Sequence, residues 1–456
     1  MGGAQVVVLL AGLVRAKVVA LTIGAAGVGL IGIFNAFTGN ISAFAGWGLG
    51  TSGVRLIAEA PEPEKPAKVA AVRRLGWLLS MVGLAIGLMA FWPSTWATFA
   101  SNEYLDEMGI IAMSVPLLIA SGVWAALLQA SGKIKLLAKV QVAGALTGLL
   151  VGLPAVYFWG ATGIALGVLL SAAVTAAVLW RAARKECPAQ EEVEVALADI
   201  RQLLAMGGAL MAISWLGQLS AYAVRFVIIR QEGLEAAGFY QAAFGISGSL
   251  PSFIFAAMGA DFFPRISGAK TPSEAQDQLE KQIKAGLLLG VPLIGILLTS
   301  GKPCLEWMYA ESFAPASPLL DWMSWGVFLR LISWPMGFWL IAKGTPRSLI
   351  AVECMGNCLA VLLPVVMLPV FGLVGAAMAF FWASLGHLAI LVIVYKCRTG
   401  CWLGAGVLAW AALAGTSLSA SSYWASICED PCSDATPILA LGAFCAWKYR
   451  QVMKCQ

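Results

Sequence analysis

Charge is scarce in this chain. Of its 456 residues only 12% are Asp, Glu, Lys or Arg, and His387 is the single histidine. A soluble domain carries about 25% charged residues. The ten cysteines (Cys187, Cys304, Cys354, Cys358, Cys397, Cys401, Cys428, Cys432, Cys445 and Cys455) include no CxxC pair. With one histidine, that argues against a zinc or iron–sulfur site, and no metal or cofactor is expected. GxxxxGK[ST], GxSxG and HExxH are absent, which removes the common nucleotide, hydrolase and metalloprotease signatures. External loops are too short for a glycosyltransfer or ligation centre, and nothing points to nucleic acid.

What is abundant is apolar sequence, 60% of the residues, at a mean hydropathy of +0.84. A spanning helix needs about 20 mostly apolar residues. Such runs occur at 5–26, 28–57, 69–93, 107–131, 136–157, 160–181, 202–229, 236–263, 283–301, 317–342, 347–370 and 372–395, with weaker candidates at 401–422 and 435–447. The first run carries Arg15 and Lys17 and no cleavage pattern, so it reads as a retained helix rather than a signal peptide. The expected fold is all-α and polytopic.

Orientation follows from the basic residues. With a cytoplasmic N-terminus, 23 of the 29 Lys and Arg fall in inner loops or inner helix ends, and only Arg230 and Lys302 fall outside. This positive-inside bias supports an even number of spans and cytoplasmic termini. Trp92, Trp96, Trp307, Trp322 and Trp325 then gather near outer boundaries as an aromatic belt. Cys428 and Cys432 would pair if their loop faces an oxidising compartment.

The two halves repeat. Val14-Arg15 aligns with Val224-Arg225 and Arg55 with Arg265, each 210 residues apart. Further on the offset is 212: Gly132 meets Gly344, Lys135 meets Arg347, Gly144 meets Gly356, and Gly160 and Gly163 meet Gly372 and Gly375. Six spans per half place both halves in the same orientation, related by a pseudo-two-fold along the membrane normal. The expected organisation is a six-helix lobe at 1–184, a charged cytoplasmic linker at 185–199, a second six-helix lobe at 200–398, and an appendage of about two helices at 399–456. Two such lobes facing a central cavity suit a transporter.

Four cations lie inside spans: Arg15, Lys17, Arg225 and Arg330. A cation at the bilayer centre costs about 2.5 to 3.5 kcal/mol on insertion scales. Each either snorkels or pairs for packing, or helps form a site. Acids within spans are fewer, Glu353 and, near an inner end, Asp261. An interior with more bases than acids suits an anionic ligand, and arginine matches phosphate as a bidentate fork. Arg15 is the leading candidate, Arg225 and Arg330 follow, and Lys17, on a different helix face, is the most structural. Glu353 is either a proton carrier or an ion-pair partner of Arg330. Asp261-Phe-Phe-Pro-Arg265 closes the eighth span at its proline, with an Asp261–Arg265 pair that is structural or gating. Arg55, the repeat partner of Arg265, is grouped with it. His387 reads as a satisfied interior residue, with a proton role as the lesser alternative, since histidine titrates near neutrality.

Longer patterns carry a resemblance. Leu13–Asn35 (LVRAKVVALTIGAAGVGLIGIFN) and Trp47–Glu59 (WGLGTSGVRLIAE) resemble the openings of O-antigen translocases, the Wzx-type flippases. Tyr222–Arg230, Ala237–Ala243 and Asp261–Arg265 are similar to the same family. The similarity covers roughly residues 1–396. That family sits in a superfamily with multidrug and toxin extruders and the lipid II flippase. The resemblance implies an alternating-access transporter, not an enzyme, in the bacterial inner membrane. Its cargo would be an undecaprenyl-pyrophosphate-linked oligosaccharide moved from the cytoplasmic to the periplasmic leaflet. Membrane lipids, and a polysaccharide polymerase with its assembly proteins, are the implied partners, with protons or sodium as the candidate drive. Arg15 and Arg225 match the cationic cavity positions of the family. The alternative on the same fold is a cation-coupled multidrug exporter.

Overall fold

The computed structural model describes residues 2–187, 196–344 and 346–427; the side chains of residues 2, 250, 256, 257, 259–261, 263, 264, 346 and 424–427 are outside that description. The candidate span at 435–447, most of the linker, and Cys428 and Cys432 therefore lie outside the described residues. Every regular element among the described residues is helical.

Among the described residues, ten helices are long and apolar enough to cross a membrane. Two of these break at a glycine into two helices apiece, so the twelve spans of the repeat are all present. They are α1 (Gly2–Thr22), α2 (Ala25–Ala45), α4 (Lys65–Phe99), α5 (Leu105–Ala130), α6 (Ile134–Glu186), α7 (Leu197–Gly268), α8 (Pro272–Thr299), α10 (Ser317–Lys343), α11 (Pro346–Phe371) and α12 (Leu373–Thr399). Short helices α3 (Leu49–Glu59) and α9 (Gly301–Met308) and a final α13 (Ala405–Ile427) complete the order. The protein is a multi-pass, all-α membrane protein.

The breaks fall where only glycine is comfortable. Gly160 within α6 has φ 53°, and Gly233 within α7 has φ 87°. Both conformations lie in a region that disfavours a Cβ. Their repeat counterparts turn the chain in the same way, Gly372 at φ 58° and Gly24 at φ 83°. The repeat also extends to packing. Glycine lies against a carbonyl at Gly163 on Ala155 and at Gly375 on Met367, both 212 apart. Gly144 faces Thr175, and Gly356 faces His387, again at 212.

Two sequence expectations change. The run 28–57 is not one span: Gly46-Trp47-Gly48 interrupts it, with Trp47 at φ 48° and Gly48 at φ 62°. A left-handed tryptophan is unfavourable, and here it is held. Its indole Nε1 donates to the Leu204 carbonyl at 2.9 Å, and Gly207 packs against its own carbonyl. The eighth span does not end at Pro264, because α7 continues to Gly268. A proline removes one helix hydrogen bond, a loss that packed spanning helices absorb.

Two compact units are present, Met1–Gly238 and Phe239–Gln456. In the first, α5 packs between α4 and α6, and α1 lies along α6. The part of α7 before Gly233 belongs to this unit and lines α2. Gly39 meets Gln218, and Phe44 and Trp215 rings lie 5.2 Å apart. A buried ion pair joins Lys68 Nζ to Asp199 at 2.6 Å, tying the start of α7 to α4. In the second unit, α10 packs against α8 and α12, and α12 against α11. Its core includes Phe262, Leu279, Ile283, Leu331, Trp339 and Tyr395. Helix α8 starts at a capping box: Thr271 Oγ1 accepts from the Glu274 N–H, and Glu274 accepts from the Lys270 N–H. Helix α13 packs on α8, where Glu280 accepts from the Gly404 N–H at 3.0 Å.

Candidate functional site

The second unit gathers the intramembrane ionisable groups of three helices. Arg330 sits midway along α10, Glu353 on α11 and His387 on α12. His387 Nε2 and Glu353 Oε1 lie 4.0 Å apart. Arg330 is within electrostatic reach of both, and of Tyr240 on α7. Its guanidinium lies over the Phe380 ring, 4.8 Å from the centroid, a cation–π contact. Phe380 in turn meets Phe244 edge-on at 6.2 Å.

Local sequence explains the convergence. Gly356 carries no Cβ, and the His387 ring fills that space. The imidazole is thereby held against α11 one turn from Glu353. His387 Nε2 is buried without a hydrogen-bond partner among the described residues, within a small movement of Glu353. Arg330, by contrast, is solvent-accessible. Part of its stem is exposed, while the guanidinium itself is closely surrounded by protein and rests on the Phe380 ring. The arrangement therefore sets one cation beside an acid and an imidazole. It can bind an anion, and it can change charge when the acid or imidazole titrates.

In the first unit, Arg15 on α1 crosses to α6, donating from Nη2 to the Ile164 carbonyl at 3.3 Å. Gly167 leaves room for that guanidinium, which lies 4.0 Å from where a Cβ would stand. Arg15 Nε is buried with no hydrogen-bond partner among the described residues. A guanidinium has five N–H donors, and one carbonyl does not occupy them. Arg225 is 7% exposed and folds back on its own helix, Nη1 donating to the Ala221 carbonyl at 2.8 Å. It is buried in protein and does not snorkel to an interface. Lys17 is half-buried on α1.

The residues grouped as gating behave differently. Arg55 is exposed on α3 and pairs with Glu59 at 2.7 Å, a surface pair of little energetic weight. Arg265 is exposed and donates to Gln282 at 3.3 Å. Asp261 lies on α7, and its side chain is outside the described residues. Sequence reasoning undervalued His387 and missed Tyr240 and Phe380. The signal for His387 was present: Gly356 and His387 repeat Gly144 and Thr175.

Comparison with known proteins places this geometry in context. A family described as polysaccharide biosynthesis protein matches residues 1–270. A putative O-antigen transporter from Shigella flexneri is 23% identical over 282 residues, 59% of this chain and 65% of that protein. The chain thus spans just under two thirds of that relative's length. Among solved structures, the lipid II flippase MurJ in an inward closed conformation superposes with a TM-score of 0.77 at 14% identity, covering 99% of each chain. An inward-facing multidrug resistance MATE family transporter of the MOP superfamily gives 0.72 at 14% identity, covering 87% of this chain and 94% of that one. These structural likenesses establish the fold.

Proposed function

Because the chain belongs to the polysaccharide biosynthesis protein family, we propose that it is a flippase for a lipid-linked glycan. The cargo we assign is an undecaprenyl-pyrophosphate-linked oligosaccharide, an O-antigen unit or a related surface glycan, crossing from the cytoplasmic to the periplasmic leaflet of a bacterial inner membrane. The observation that carries this reading is the family match over 1–270, joined to a membrane interior with more bases than acids.

The chemistry follows from the cations. The acyl chain stays in lipid, and the pyrophosphate must cross with its charge compensated. Arg15 has donors to spare, and Arg330 is partly exposed. Both form charge-assisted hydrogen bonds to phosphate oxygens in this reading. Arg225 is the second-half twin of Arg15 by the repeat, and would have to release the Ala221 carbonyl to reach phosphate. Lys17 contributes charge nearby on α1. Lobes at 1–184 and 200–398, bounded by the sequence repeat rather than by the compact units, alternate access, with both termini cytoplasmic. The glycine turns at Gly24 and Gly233 give the outer ends of the helices room to swing. Glu353 and His387 set the charge around Arg330 and form the coupling point to protons. Asp261, Arg265 and Arg55 act at the cytoplasmic ends, where surface pairs make and break readily.

A second reading is favoured by one observation, the Glu353–His387 pair. It is a cation-coupled multidrug exporter, as the extruder-like fold permits. Efflux of a lipophilic cationic dye that disappears with Glu353→Gln would support it.

Deletion of the gene in a glycan-producing host tests the main reading. Surface glycan should vanish while its lipid-linked precursor accumulates in the inner leaflet. Unchanged glycan display would refute it.

A further inference from the structure

A second concave site lies in the Phe239–Gln456 unit. It encloses about 460 Å³ and is lined by Asp321, Trp322 and Trp325 on α10 and Phe381 and Trp382 on α12. The rings are braced against one another. Trp322 and Phe381 centroids are 5.5 Å apart with planes at 65°, and Phe381 and Trp382 are 5.2 Å apart at 75°. Trp325 is held from behind by Phe328 at 5.9 Å. Trp382 is 43% exposed, so its face is open. At their edge, Asp321 is half-buried, with one carboxylate oxygen beside Gly301 at the start of α9, and it has no hydrogen-bond or ion-pair partner among the described residues.

An ordinary aromatic belt explains rings but not this carboxylate. A half-buried carboxylate without a partner is unfavourable, so the site wants a ligand that donates hydrogen bonds. A lipid tail would leave Asp321 unsatisfied. A sugar matches both features: the C–H face of a pyranose lies on an aromatic ring, and its hydroxyls donate to a carboxylate. Pockets with apolar walls and a few placed polar groups are the usual form of a small-ligand site.

We propose that Asp321, Trp322, Trp325, Phe381 and Trp382 form a glycan-docking site on the outer half of α10 and α12. It receives a sugar of the cargo's headgroup after the pyrophosphate has crossed, and so holds the glycan on the exit side. The assignment rests on the flippase reading, because that reading supplies a glycan cargo and the outward orientation of these helix ends. It adds specificity to that reading: the cationic site recognises the pyrophosphate common to all such lipids, while this site recognises sugar.

The test uses the full chain in cells that make the lipid-linked glycan. The photo-crosslinking residue p-benzoylphenylalanine replaces Trp382, an exposed position that tolerates another aromatic group. Illumination should give an adduct whose carbohydrate is revealed by periodate oxidation and hydrazide labelling. Asp321→Ala should reduce its yield about tenfold or more, the scale of one lost hydrogen bond to a charged group. Asp321→Asn, which still accepts hydrogen bonds, should retain most of it. An adduct containing only phospholipid, or none, would overturn the proposal. So would a site that loses binding of a rhodamine dye with Asp321→Asn and never captures glycan, since that is a cation cage. Headgroup translocation by the same variants in vesicles separates the two readings. Intact translocation without glycan capture removes only the docking site, whereas a wild-type protein that moves no headgroup removes the flippase.

Discussion

Gly29 and Gly238 pack against each other where α2 and the second part of α7 begin, and they do so reciprocally. Gly29 lies on the Leu234 carbonyl, and Gly238 lies on the Ala25 carbonyl. Gly29 and Gly238 are 209 residues apart, as are Ala25 and Leu234. The contact is therefore locally two-fold, each partner repeating the other, and it is backbone against backbone. Close approach of this kind needs small residues.

Gly238→Val should break that contact. Its Cβ would overlap the Ala25 carbonyl, and forced overpacking costs about 1 to 3 kcal/mol. A fall in the thermal unfolding midpoint of the purified protein measures it. Gly12→Ala is the control, because open space surrounds that position, and it should leave the midpoint unchanged.

The Lys68–Asp199 pair anchors the start of α7. Side-chain exposures of 16% and 8% make it a largely buried pair. Removing one partner of a fully buried pair costs about 3 to 5 kcal/mol. Residual access to water at Lys68, and its second acid Glu64 at 3.6 Å, lower the expectation for Asp199→Ala to about 1 kcal/mol. Denaturant or thermal unfolding reads the loss, and Lys68→Met combined with Asp199→Leu should recover most of it. An unchanged Asp199→Ala would show the pair to be incidental.

Arg15 holds α1 to α6 and, in the proposed function, binds phosphate. Arg15→Lys keeps a charge but loses the fork. Headgroup translocation should slow about tenfold, equivalent to ~1.4 kcal/mol, with the unfolding midpoint little changed. A fall in stability with normal translocation would leave Arg15 a packing residue alone.

Glu353→Gln removes the acid beside Arg330 and His387 while keeping the shape. Transport driven by a pH gradient should slow and lose its dependence on that gradient. Rates measured in vesicles with and without an imposed gradient decide it. Retained gradient dependence would exclude Glu353 from coupling.

The sequence carried the twelve spans plainly, because apolar runs of bilayer length have few alternative structures. The repeat was legible in part through Gly160 and Gly372, which stand where the backbone turns into a region closed to other residues; Gly24 and Gly233 turn in the same way but stood unmarked in the sequence. The break at Gly46-Trp47-Gly48 was hidden within an uninterrupted apolar run. Only tertiary contacts from Leu204 and Gly207 hold Trp47 in its left-handed conformation. The continuation of α7 past Pro264 was hidden because packing overrides a local breaker. Arg330, Glu353 and His387 were each visible as costly residues. Their convergence on three successive helices was not, since the spacing between spans carries no information about which faces meet.

The central claim is that this chain moves a pyrophosphate-linked headgroup across a bilayer using intramembrane arginines. Purified protein in vesicles loaded with an undecaprenyl-pyrophosphate-linked oligosaccharide tests it directly, by the fraction of headgroup that becomes accessible to an impermeant sugar-cleaving enzyme. Wild-type protein should raise that fraction well above protein-free vesicles, and Arg330→Ala should slow the process about tenfold or more, a loss of at least ~1.4 kcal/mol of transition-state stabilisation. Equal accessibility with and without protein would contradict the account.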